Sequence, residues 1–179
     1  KKACFADFKM QTCRHFYDNY LYAIGGQKYG FGSTQIDACE RFEVTHEKWE
    51  ALEPLPLACS GASVIALEES RCLYALGGIA DNQAIDSIQR LRLSELKWDI
   101  LELKLPTSSS LVASFKLVES RIYFVMSRRL YSFTPQTNSI KAVEAISEAI
   151  LNYYWPNYSS NSVVPYIPST RGSPWKFDL

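Results

Sequence analysis

Apolar residues in this chain fall in short runs rich in β-branched and aromatic types, separated by turn-forming residues, which predicts strands rather than helices. One window shows the pattern in full. Ala62–Leu67, Cys72–Leu76, Ser87–Leu93 and Trp98–Leu103 parse as consecutive strands of one sheet. In the third of these, RLRL alternates with period two, so Leu91 and Leu93 face one layer while Arg90 and Arg92 face another, or the edge.

The same pattern is written more than once. Leu21–Gly26 reads LYAIGG and Leu73–Gly78 reads LYALGG, 52 residues apart. Aligning the two glycine pairs brings Cys39–Leu52 into register with Ile88–Leu101; Arg41 and Trp49 are eight apart, and so are Arg90 and Trp98. Each tryptophan is followed by a Leu-Pro, at Leu55-Pro56 and Leu105-Pro106, and then by an apolar stretch, Ala62–Leu67 and Leu111–Leu117. A third, degenerate copy follows: Ile122–Ser127 reads IYFVMS without the glycines, and Arg128–Phe133 continues after a loop shortened almost to nothing. The closing WKFDL, Trp175–Leu179, matches Glu40–Val44 and Gln89–Leu93 position by position, as part of a fourth unit would.

A repeat near 50 residues with four short antiparallel strands buries both faces of its sheet by stacking on neighbours around an axis, which is a β-propeller blade. On this reading Gly25, Gly26, Gly77 and Gly78 end the second strand near the crowded centre, where a side chain would obstruct backbone or a positive φ is required. Trp49 and Trp98 open the fourth strand and are expected to pack between adjacent blades.

With these residues in place, the chain resembles the kelch-repeat family: an apolar strand ending in Gly-Gly, a following strand with Phe42 or Leu91 near the family's Tyr position, then a Trp. The likeness covers roughly residues 14–143. It departs from the family in two places: no arginine follows the proline, where Cys59-Ser60 and Ser109-Ser110 stand instead, and the third unit lacks both Gly-Gly and Trp. The expected fold is all-β, a kelch-type propeller segment of four-stranded blades at about 14–53, 61–103 and 111–143, in an incomplete ring with an irregular C-terminal segment. Over Ala142–Tyr154, Val143, Ile146, Ile150 and Tyr154 recur at helical spacing, which fits a short helix or a fraying fourth strand, and 144–179 is set apart as the C-terminal segment. The stretch 155–174 holds Pro156, Pro165, Pro168 and Pro174 and reads as loop with an edge strand at Ser162–Ile167.

Composition narrows the class without naming a partner. With 47% hydrophobic and 21% charged residues the chain is globular, and 19 basic against 19 acidic residues give no field that would draw it to nucleic acid or an anionic membrane. No apolar run is long enough to span a bilayer. The five cysteines form no C-x-x-C pair and are expected to be free thiols in a reducing compartment. Asn157-Tyr158-Ser159 fits a glycosylation sequon, a triplet that arises easily by chance. A start at Lys1 without an initiator methionine suggests a piece of a longer protein.

Reactive groups are sparse. His15 falls in the first apolar strand and His46 in a turn, and no Walker loop or nucleophile elbow surrounds the glycines. The expectation is a non-enzymatic protein-binding scaffold without a cofactor or metal, cytoplasmic, with a protein partner or large assembly. Resemblance to the kelch family implies partners such as ubiquitin-ligase substrates or cytoskeletal and ciliary components. It also implies an alternative, a propeller enzyme acting on a carbohydrate or a copper oxidase-like protein. Loops at the rim of a rigid disk carry recognition. The candidate partner-binding residues are therefore Gln27, Lys28, Tyr29 and Phe31 after the first glycine pair, Asp81, Asn82 and Gln83 after the second, and Arg128 and Arg129 in the third unit. Tyr29 and Phe31 could instead fold back onto their own blade.

Overall fold

Alternation with period two makes each apolar run a strand with two buried faces, and the turns between runs are set by residues that tolerate a left-handed backbone. Asp18, Asn19, Glu47, Arg71, Leu96, Ser120 and Asn138 all have φ between 47 and 64°, each in or beside a tight connection. A computed structural model of the chain describes residues 13–28, 34–109, 113–116, 120–127 and 129–143. The expected helix, loop, edge strand and fourth-unit strand of 144–179 lie outside the described residues.

Three four-stranded antiparallel sheets result, in chain order. Blade 1 contains β1 (Cys13–Tyr17), β2 (Tyr20–Lys28), β3 (Thr34–Glu43) and β4 (Lys48–Ala51). Blade 2 contains β5 (Ser63–Leu67), β6 (Cys72–Leu76), β9 (Ser87–Arg92) and β10 (Lys97–Lys104), with a small hairpin, β7 (Ile79–Ala80) and β8 (Gln83–Ala84), inserted between β6 and β9. Blade 3 contains β11 (Ala113–Lys116), β12 (Ile122–Met126), β13 (Arg129–Thr134) and β14 (Ser139–Ala142). The first strands lie side by side, β5 contacting both β1 and β11.

Two apolar layers hold the blades together. Between blades 1 and 2, Tyr22, Ile24 and Cys39 meet Val64, Ala66, Leu73, Ala75, Leu91 and Trp98. Between blades 2 and 3, Ile65, Leu67, Tyr74, Leu76 and Ile88 meet Ile122, Phe124, Met126 and Phe133. Alternate residues of one strand thus serve opposite layers: Leu73 and Ala75 face back to blade 1, Tyr74 and Leu76 forward to blade 3. Each fully buried large apolar side chain contributes roughly 1.5–3 kcal/mol.

The linkers repeat as closely as the strands. Leu55 and Leu105, the leucines of the two Leu-Pro pairs, are buried in the first and second layers, and their N–H groups donate to the carbonyls of Asp37 and Asp86 at 2.8 Å each. Four residues on, the carbonyl of Cys59 accepts from Gly26 N–H at 2.9 Å, and that of Ser109 accepts from Gly78 N–H at 2.8 Å. Each second glycine therefore ties its blade to the chain entering the next one. A Cβ on Gly25 would lie 2.4 Å from the Cys59 carbonyl oxygen, and one on Gly78 would lie 2.8 Å from that of Ser60. With φ of +54° at Gly25 and +113° at Gly78, both positions require glycine on two grounds. The crowding expected at the glycines has a definite source, the linker backbone leading into a first strand, rather than the blade axis in general.

Polar contacts cross strands and blades in matching places. Arg41 pairs with Glu50 at 2.7 Å and Arg90 with Asp99 at 2.6 Å, each between the third and fourth strands of its blade. Arg90 binds Asp99 through both Nε and Nη2, and this contact holds the Asp99 carboxyl below the usual carboxylate range. Such half-exposed pairs contribute up to about 1 kcal/mol each. His15 Nε2 in β1 accepts the backbone N–H of Ala66 in β5 at 3.1 Å, so its ring must be neutral at that nitrogen.

Two outcomes follow. Gly25→Ala is expected to lower unfolding free energy by roughly 2–4 kcal/mol, read by denaturant melts, because strain and displacement of the Cys59 carbonyl act together. An unchanged midpoint would remove the close-approach account. Burial also depresses the His15 imidazolium. The unfolded chain therefore binds a proton first as pH drops below about 6.5, so this group's stability is full above that pH and lost on acidification toward the folded-state value. Taking pH from about 7.5 to about 5 should lower Tm, and His15→Gln, which keeps an acceptor without titrating, should remove part of that decline; parallel curves for the two proteins would contradict the role.

Candidate partner-binding rim

The connections between second and third strands of the three blades are built differently from nearly the same starting sequence. In blade 1, β2 and β3 continue past the glycines after a bulge between Ile24 and Gly26, pairing Gln27 with Gln35 and Lys28 with Thr34. Blade 2 closes its inserted hairpin on Asp81 and Asn82, whose φ values of 48 and 61° give the two left-handed residues that a tight two-residue hairpin favours. Blade 3 pairs Met126 directly with Arg129, with Ser127 at φ 49° in the connection.

These connections place Gln27 and Lys28 at the end of β2, Asp81, Asn82 and Gln83 in the inserted hairpin, and Arg129 at the start of β13. Gln27 is half-buried and Lys28 exposed; Asp81, Asn82, Gln83 and Arg129 are all exposed. Tyr29, Phe31 and Arg128 lie outside the described residues. Gln35 Nε2 donates to Asn82 Oδ1 at 3.3 Å, a link between the connections of blades 1 and 2. That link was missed in the sequence, where Gln35 was one polar residue of a long loop; its pairing with Gln27 past the bulge is what brings it there. The described rim positions are polar and of mixed charge, Lys28 and Arg129 being basic and Asp81 acidic.

The glycines and tryptophans do not share this surface. Trp98 is buried in the layer between blades 1 and 2, whereas Trp49 is half-buried with its ring centroid 5.1 Å from that of Phe42. At the opposite ends of the first two strands, Phe16, Tyr17, Asp18, Glu68 and Arg71 line an open groove of about 540 Å³. Sequence reasoning did not find it, because it forms between the first hairpins of two blades.

The reactive groups are occupied structurally. Besides the Ala66 bond of His15, His46 Nδ1 lies 2.8 Å from Glu43 Oε1 on an exposed turn. Among the described residues no three His, Cys, Asp or Glu side chains gather as metal ligands. Cys39, Cys59 and Cys72 are free and buried, and burial pushes the Cys39 thiol up to about 12 and the Cys59 thiol to about 11. Among the described residues no helix is long and apolar enough to cross a membrane.

Three antiparallel four-stranded sheets packed face to face and joined by equivalent linkers have the construction of consecutive β-propeller blades. The chain's sequence is similar to a kelch repeat-containing protein of Dictyostelium discoideum, 31% identical over 86 residues, which is 47% of this chain and 13% of that protein. It is also similar to human kelch-like protein 33, 39% identical over 69 residues, 38% of this chain and 13% of the relative. The match thus spans a small fraction of either relative's length. No protein-family model matches the chain.

At about pH 8, Cys39 and Cys59 should react with a maleimide at least a hundredfold more slowly, to order of magnitude, in the folded chain than in denaturant. Rapid labelling of either without unfolding would contradict their burial.

Proposed function

We propose that this segment is a non-enzymatic scaffold that binds a protein partner through the rim formed by the connections between second and third strands. The observation that carries this reading is the contrast between conserved construction and divergent display within one chain. Linkers, glycine bonds and apolar layers repeat between blades, while the rim connections differ in length, turn type and charge, from the extended β2–β3 hairpin to the short connection before Arg129. Similarity to kelch-repeat proteins supports the same reading by analogy of fold. Varied loops held at fixed spacing by a rigid frame are the ordinary arrangement of a recognition surface. Tyr29 and Phe31, between glycines in the longest connection, are the residue types that anchor protein interfaces, and Lys28 beside them supplies a cation.

The test is a paired set of variants in the full-length protein, with partners recovered by proximity crosslinking and then measured as purified components. Tyr29→Ala with Phe31→Ala, and separately Asp81→Lys with Arg129→Glu, should each weaken the partner at least about tenfold while the melting temperature stays within a few degrees. Undiminished binding by both sets would refute the rim, and a collapse in stability of the aromatic pair would assign those rings to the blade instead.

A further inference from the structure

We draw no further inference here: the strongest candidate, the open groove lined by Phe16, Tyr17, Asp18, Glu68 and Arg71 between the first hairpins of blades 1 and 2, carries none because nothing in the structure shows what covers it.

Discussion

The structure depends on one backbone hydrogen bond, made twice: the N–H of the second glycine in each pair donates to the linker carbonyl that leads into the next blade. Reaching that carbonyl requires the strand to turn out of its sheet through two residues at positive φ, with no side chain between the two backbones. Gly25 and Gly26, at φ +54 and +130°, and Gly77 and Gly78, at +62 and +113°, satisfy this. The bond itself is worth about 0.5–1.5 kcal/mol net. Its larger effect is positional, because it fixes the linker whose leucine fills the layer between blades and whose following residues become the next first strand.

The third blade shows which parts of the pattern are negotiable. Its second strand runs straight into a short connection, so Met126 and Ser127 stand where the glycines were, and Met126 is buried in the layer with blade 2. Its fourth strand carries Ile140 at the tryptophan position, opposite Phe133, where blade 2 has Trp98 opposite Leu91. The large aromatic has moved one strand inward and meets Tyr74 edge-on at 5.5 Å. Likewise Phe124 replaces the alanine of the other two blades and stacks with Tyr131. Filling volume, rather than preserving residue identity, is what the layer demands.

Most of the fold was legible in the sequence because its signals are local or periodic. Strand runs, turn residues and the 52-residue spacing of the glycine pairs need no tertiary information. The inserted hairpin Ile79–Ala84 was not, since strands of two residues leave no alternation to read. Nor were contacts between distant residues of like type: the hydrogen bond from Leu57 N–H to Gln89 Oε1 and the His15 bond to Ala66 depend on which blade lies beside which. The arginine–carboxylate pairs had a visible signal that went unused, an acid directly after each tryptophan, Glu50 and Asp99, nine residues beyond its arginine. Rim positions could be placed from turn chemistry, while the inter-blade link through Gln35 and Asn82 required the registers of both hairpins.

A rigid frame with variable ends follows from this division: the shared interactions set spacing between blades, and the connections differ at their exposed tips. The central claim is that the glycine-to-linker bonds are permanent parts of the folded state rather than frayed edges. Amide hydrogen exchange at Gly26 and Gly78 measures this directly. Protection matching that of the buried strand amides of Leu73 and Leu91 is the result expected, and exchange as fast as that of the exposed Asn82 amide would contradict it.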